Sequence, residues 1–355
     1  MLNLQTPLCK LLHIEYPVIQ AGMAGAATAD LVAAVSSAGA LGTLGAAYMT
    51  PKEIRNNIRA IREHTDKPFA VNMFAVRMED NWEGMEQAQQ VLNRFRADLG
   101  IVDTAERSTA QMFEEQFQVL LDENVPVLST AFGLLTKGHM AEAKEKGIRI
   151  IAMVTTVNEA VQAEEAGADV IVAQGSDAGG HRGTFNIREH PDGANIGTFS
   201  LVPQIADHVT VPVVAAGGIM DGRGLVAALA LGASGIQAGT VFLPTEESIA
   251  HWAYKQQLLT STEESTVITK SFSGRPARGI RNKFIVEFER FAKPLGFPSQ
   301  HTLTTDIRKA AALQNNPEYM SLWAGQGIRM LQKRTNISAT EIVDAMIKEA
   351  KEILE

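Results

Sequence analysis

A chain of 355 residues, 45% of them apolar, buries a large core as one domain with an elaboration or as two domains. A formal net charge of −8 excludes an electrostatic surface for nucleic acid or an anionic membrane. The single cysteine, Cys9, excludes an intrachain disulfide and a cysteine-built metal cage. The first seventeen residues hold neither a long apolar run nor a small-residue cleavage site, so they do not read as a secretory signal, and a cytoplasmic protein is expected.

In chain order, the first short apolar strand falls at 17–20. Gly39 is then placed to cap a helix ahead of a second strand at 41–47. Thr50, Pro51 and Glu53 supply an N-cap, a first-turn proline and a capping-box carboxylate for the next helix. A third strand follows at 69–74. Residues 75–124 are mostly polar and helix-like, too long for one crossover, and read as an inserted helical segment. Strands are expected at 125–129, at 149–154 after Gly147, at 170–173 after Gly167, at 211–216, and at 236–242 after Gly232. Runs this continuously apolar belong to strands buried on both faces. Eight such units in about 250 residues predict an α/β fold, a TIM (β/α)8 barrel over residues 1–243. No strand pattern is evident after Leu243, so 244–355 is expected to be a mainly helical C-terminal cap or lid. It ends in a capping box from Ser338 to Glu341, with Ile342, Val343, Met346, Ile347 and Ala350 on one face.

Residues 31–51 and 224–245 are free of charge and long enough to suggest membrane spans. Each is interrupted by several glycines and by Ser, Thr or Gln, and reads instead as helix, turn and strand.

In such a barrel, functional groups sit at the C-terminal ends of the strands, and phosphate binds after the seventh and eighth. The seventh predicted strand runs into Gly217 and Gly218, the eighth into Gln237, Ala238, Gly239 and Thr240. Glycines there free backbone N–H groups to face a phosphate, and a following helix N-terminus adds a favourable dipole. No GxGxxG fingerprint occurs, and residues 133–138 have P-loop spacing without the Lys-Ser/Thr that completes it. The sixth strand runs into QGSDAGGHRG, residues 174–183, where His181 stands among four glycines. It is the one histidine in a predicted strand-end loop. His13, His64, His139, His190, His208, His251 and His301 lie in helical or polar surroundings, and no HExxH spacing exists, which argues against a metal. A histidine at that loop is placed to exchange a proton near neutral pH. The basic run of Arg275, Arg278, Arg281 and Lys283 reads either as a solvated face or as a shaped loop that covers the barrel mouth or positions an anion.

Taken together, Gln20-Ala-Gly-Met-Ala24, the strand end Val71-Asn-Met-Phe74, QGSDAGGHRG, AAGGIMDGRG, Gln237-Ala-Gly-Thr240 and FSGRPARG resemble the nitronate monooxygenase family, from about residue 7 to Gly327. The resemblance implies an FMN-binding barrel. Ala21, Gly22, Met23 and Asn72 would lie near the flavin ring, and Gln174, Gly179 and Gly180 along its edge and ribityl chain. Gly217, Gly218, Gln237, Ala238, Gly239 and Thr240 would hold the phosphate, and His181 would be the catalytic residue. Asp177 and Arg182 are assigned to loop and surface roles. Gly22 stands where many relatives have proline, which suggests a more flexible loop.

The implied reaction is the FMN- and O2-dependent denitrification of an alkyl nitronate such as propionate 3-nitronate. Its partners are that small molecule and O2, with neither nucleic acid nor membrane. Two other readings share the barrel: an FMN-dependent enoyl-ACP reductase using NAD(P)H, and a flavin-binding protein without turnover. An inosine-monophosphate-dehydrogenase-like enzyme would need a cysteine after the sixth strand, and Cys9 is far from there.

Overall fold

The computed structural model describes residues 3–76, 78–103, 112–332 and 337–355. Short apolar strands alternate with helices to form β1 (Val18–Gln20), β2 (Gly42–Gly45), β3 (Phe69–Phe74), β4 (Val127–Ala131), β5 (Arg149–Val154) and β6 (Val170–Gln174). After the two-residue β7 (Gly180–His181) come β8 (Val213–Ala216) and β9 (Gly235–Ala238). All of these except β7 lie in one parallel eight-stranded sheet, in the order β1-β9-β8-β6-β5-β4-β3-β2. A parallel bridge from Ile19 to Leu41 brings β1 back beside β2 and closes the barrel. The strands are mostly apolar because helices cover them outside while side chains fill the interior.

The boundaries follow backbone chemistry. β4 and β8 begin after Pro126 and Pro212, which lack an N–H for the ladder but whose carbonyls accept from Arg149 N and Ile171 N, each at 3.0 Å. Gly39, Gly147, Gly167 and Gly232 all take positive φ at helix ends, as their placement before strands predicts. The capping box forms: Thr50 Oγ1 accepts from Glu53 N, and the Glu53 carboxylate accepts from Thr50 N at 2.7 Å. Its helix, Pro51–His64, buries Ile54, Ile58 and Ile61 against the barrel. Gly42 has no substitute, since a Cβ there would stand 2.2 Å from the Val32 carbonyl oxygen.

The two uncharged stretches resolve as expected. The first contains helix Ala29–Ser37 and β2, the second helix Gly222–Ala230, β9 and a 3-10 turn at Thr240–Phe242. Among the described residues no helix is long and apolar enough to cross a membrane.

The 75–124 segment carries helices Met85–Asp98 and Phe113–Asp122; its residues 77 and 104–111 lie outside the described residues. The first helix is clamped to the C-terminal part of the chain. Phe95 meets Phe284 with ring centroids 4.9 Å apart, and the buried Arg96 donates to Asp306 at 2.7 Å.

After Leu243 most elements are helices, but strands do not stop there. β10 (Thr266–Thr269) pairs antiparallel with β11 (Ala277–Ile280), which pairs in turn with β7. This three-stranded ribbon was hidden because β11 reads Ala-Arg-Gly-Ile, charged and glycine-containing, and because two residues of β7 carry no periodicity. It fixes His181 opposite Ala277 at the C-terminal end of the barrel. The last helix, Ala339–Leu354, returns to the barrel wall. It buries Ile342, Val343, Met346, Ile347 and Ala350 and lies close enough to Gly222 that a Cβ there would stand 2.5 Å from Ala350 N.

Candidate active site

A cavity of about 650 Å3 opens at the C-terminal ends of the barrel strands. The residues that the resemblance assigns to flavin and catalysis line it: Ala21, Gly22 and Met23 after β1, Asn72 in β3, Gln174 ending β6, and Gly179, Gly180 and His181 in the following loop. Gly217 and Gly218 after β8, and Gln237, Ala238, Gly239 and Thr240 at the end of β9, complete the set.

Polar groups inside the barrel hold the floor. Asn72 Nδ2 donates to Ser129 Oγ at 3.2 Å, and its side chain fills the space beside Gly22, where a Cβ would stand 2.5 Å from Asn72 Cβ. Gly22 is therefore a close-packed contact, in place of the flexible point expected from the sequence. Gln174 fastens the loop that follows it on both sides of His181, donating to the His181 carbonyl at 2.9 Å and accepting from Gly183 N at 2.8 Å.

Arg182 corrects a sequence expectation. In place of a surface role it is fully buried and donates to the carbonyls of Gly175 (2.7 Å), Gln174 (2.9 Å) and Ala194 (3.0 Å). Burial pushes its pKa down to about 10, still charged at neutral pH. Satisfying these carbonyls is what lets the tight loop turn inside the protein. Asp177 also binds the loop, accepting from Thr198 N at 2.8 Å and Thr198 Oγ1 at 2.7 Å.

The glycine loops after β8 and β9 line the cavity together and are its candidate anion cradle. Gly217 and Gly218 have φ of 122° and 71°, and a Cβ on Gly217 would stand 2.6 Å from Thr198 Oγ1. Among the described residues, no protein acceptor meets the backbone N–H groups of Gly218, Gly239 or Thr240. Unpaired backbone donors in glycine loops are the kind that suit a phosphate. The expected helix dipole after β8 is already engaged, because the buried Asp221 caps helix Gly222–Ala230 by accepting from Arg223 N and Gly224 N. Residues of the C-terminal part close the cradle: Gly325 N donates to Thr240 Oγ1 at 3.0 Å, and a Cβ on Gly179 would stand 2.5 Å from the Ala324 carbonyl carbon.

His181 sits in an aromatic box. Its ring lies 5.3 Å from Trp323, 5.7 Å from Phe132, 6.4 Å from Phe74 and 6.5 Å from Phe297, centroid to centroid. Burial, with the charges of Arg275 and Arg308 adding to it, pushes its pKa down to about 3, so the ring is neutral at pH 7. Nε2 lies 2.9 Å from Ser273 Oγ, which also reaches the Arg275 carbonyl at 3.1 Å. The serine thus sets the tautomer. With its hydroxyl on Arg275 O, the imidazole donates through Nε2; with the hydroxyl turned to Nε2, Nδ1 becomes the donor.

The basic run divides. Arg275 and Arg278 are buried, the first with its guanidinium 3.9 Å over the Phe132 ring and donating to Thr184 O, the second donating to Ser176 O at 2.9 Å. Arg281 and Lys283 are exposed. The run is a shaped loop at the barrel mouth whose far end alone is a solvated face.

Sequence reasoning missed Tyr48, Ser273, His301, Arg308 and Trp323, all of which line the cavity. Tyr48 directly follows the second predicted strand, so the strand-end rule had the means to find it. His301 and Arg308 arrive on C-terminal helices without such a marker. The Tyr48 and His301 rings stack 4.4 Å apart at 8°. His301 is held well below its ordinary pKa by burial, with Arg308 and His181 adding to the shift.

Comparison with known proteins identifies the family of the chain. The family model described as nitronate monooxygenase matches residues 5–349. The chain is 41% identical to a probable nitronate monooxygenase of Staphylococcus saprophyticus over 99% of each chain. It is 42% identical to another from Staphylococcus haemolyticus, over 97% of this chain and 96% of that one. Among solved structures, the nitroalkane oxidase of Streptomyces ansochromogenes superposes with a TM-score of 0.91 at 37% identity, covering 98% of this chain and 99% of that one. FabK of Thermotoga maritima superposes less closely, with a TM-score of 0.76 at 31% identity and coverage of 99% and 98%.

Proposed function

The chain belongs to the nitronate monooxygenase family of flavin-dependent oxidoreductases, and on that premise we propose that it converts alkyl nitronates, with FMN and O2, into a carbonyl compound and nitrite. Propionate 3-nitronate is the substrate of first choice. The residues fit a mononucleotide. The cradle of Gly217, Gly218, Gly239 and Thr240 suits one phosphate, Ala21, Gly22, Met23 and Asn72 offer a close-packed wall for a flat ring, and Gln174, Gly179 and Gly180 line the path between. Bound FMN supplies the electron transfer between substrate and O2.

The observation that carries the reading is the state of His181. With the Ser273 hydroxyl turned to Nε2, the neutral imidazole in its aromatic box keeps its proton on Nδ1 and is suited to donate a hydrogen bond from there to a nitronate oxygen. It is a weak base at pH 7, because its conjugate acid has a pKa of about 3, so abstraction of a proton from a neutral nitroalkane is disfavoured. A substrate that arrives already as the anion avoids that step. The apolar box of Phe74, Phe132, Phe297 and Trp323 excludes water from the reacting carbon.

Nitrite release from propionate 3-nitronate in air, measured for the purified flavoprotein and for His181→Asn, tests this. Wild-type turnover that collapses in the variant with flavin retained is expected. Rapid anaerobic bleaching of the flavin by NADH, with no nitrite from nitronates, would instead select the enoyl-ACP reductase reading. No nitrite from nitronates and no flavin bleaching by NADH, in wild type and His181→Asn alike, would select a flavin-binding protein without turnover.

A further inference from the structure

Arg308, on helix Thr305–Leu313, brings a guanidinium to the cavity wall. Its protein partners are all neutral: Nε donates to Thr304 Oγ1 at 3.2 Å, and Nη2 to the His301 carbonyl at 2.9 Å and Thr305 Oγ1 at 3.0 Å. The remaining nitrogen, Nη1, meets no protein acceptor among the described residues. The carboxylate two residues earlier, Asp306, is taken by Arg96, which grips it at 2.7 and 3.2 Å. A half-buried guanidinium on the cavity wall whose protein partners are all neutral is left with its charge available to an anion that enters the cavity. Arg275, a buried arginine near His181, is committed to Thr184 O and the Phe132 ring.

Tyr48 supplies a second donor. Its ring is fixed by stacking on His301 and by an edge contact with Phe74 at 5.3 Å, and it is 36% exposed, toward the cavity that it lines. Its hydroxyl has no protein partner among the described residues, and a phenol is protonated at neutral pH and free to donate. His301 joins the two, its ring stacked on that of Tyr48 and its carbonyl accepting from Arg308 Nη2 at 2.9 Å. His301, neutral between them, adds no competing charge.

We propose that Arg308 and Tyr48 form an oxyanion subsite that grips negatively charged oxygens of the substrate and makes the enzyme select anions. The subsite rests on the nitronate reading for the identity of its ligand. The oxygens are those of a carboxylate on the substrate's far end or those of the nitronate group itself, and the chemistry of recognition is the same.

The test uses the flavin-loaded enzyme. Succinate is an unreactive isostere of propionate 3-nitronate, and its binding is read from the perturbation of flavin absorbance. Arg308→Gln is expected to weaken succinate about 100-fold and Tyr48→Phe about tenfold, with Arg308→Lys between. Tyr48→Phe keeps the stacked ring, so it answers even where an Arg308 variant folds poorly.

In turnover, a drop in kcat/KM for propionate 3-nitronate of about 100-fold in Arg308→Gln, with propyl nitronate changed less than about threefold, supports the subsite and assigns it to a carboxylate. An equal drop for both supports it and assigns it to the nitronate oxygens. A wild-type protein that produces no nitrite, yet loses succinate in the variants, supports the subsite and sinks the nitronate reading. Succinate affinity and both kcat/KM values unchanged in Tyr48→Phe and in a folded Arg308→Gln overturn the proposal.

Discussion

The depressed basicity of His181 has a thermodynamic signature that needs no substrate. In the unfolded chain an imidazole titrates near 6.5; in the fold, burial and two arginines push it down to about 3. The fold favours the neutral form, so this stability is fully present above pH 6.5 and is lost progressively as pH falls toward 3. Between pH 7 and pH 5 the unfolded imidazole takes up nearly a full proton that the native one refuses, a loss of about 2 kcal/mol by linkage. Urea unfolding of wild type and of His181→Asn at both pH values measures it, since the variant keeps every other titrating group. Wild type should lose about 2 kcal/mol more than the variant over that interval. Parallel losses, equal within about 0.5 kcal/mol, would show that the native histidine titrates normally and would remove the argument for a nitronate over a nitroalkane.

Arg182→Leu leaves three buried carbonyls without their donor, so unfolding free energy should fall by about 3 kcal/mol or more, read by urea titration, with nitrite turnover falling as the His181 loop loosens. Gly217→Ala puts a Cβ at positive φ and within 2.6 Å of Thr198 Oγ1, and flavin retention measured by fluorescence of released cofactor should weaken by about tenfold or more. Ser273→Ala removes the partner of His181 Nε2 without enlarging the box by more than a hydroxyl. Its kcat should fall about tenfold with flavin content unchanged, and equal kcat would mean that the serine does not govern the tautomer.

The barrel was legible because its signals are local. Most of the eight units carry an apolar strand, a helix and a turn residue within a short window, and a glycine at positive φ marks several junctions, as at Gly147 and Gly167. The cradle at Gly217 and Gly239 followed from one topological rule applied to those units. Arg182 was misplaced for a physical reason: charge in a loop ordinarily means solvent, and only the three-dimensional turn reveals carbonyls that a guanidinium must satisfy. β11 escaped because its pairing with β7 spans about a hundred residues and is enforced by backbone geometry, which leaves no trace in residue type.

What the local signals leave out is the environment that gives the strand-end residues their chemistry. His181 comes from the barrel, but its tautomer partner Ser273 and its box residues Phe297 and Trp323 come from the C-terminal part, as do His301 and Arg308. Phe74 and Phe132, at the ends of β3 and β4, complete the box from below. The same closure that strips water from His181 and makes it a neutral donor also places Arg308 in surroundings where a single positive charge acts at short range with little screening. A neutral histidine and an unneutralised arginine at one cavity are therefore two consequences of one packing event. Together they define a site that needs its substrate to bring the negative charge, whereas a bare barrel mouth open to water would have left both residues ordinary.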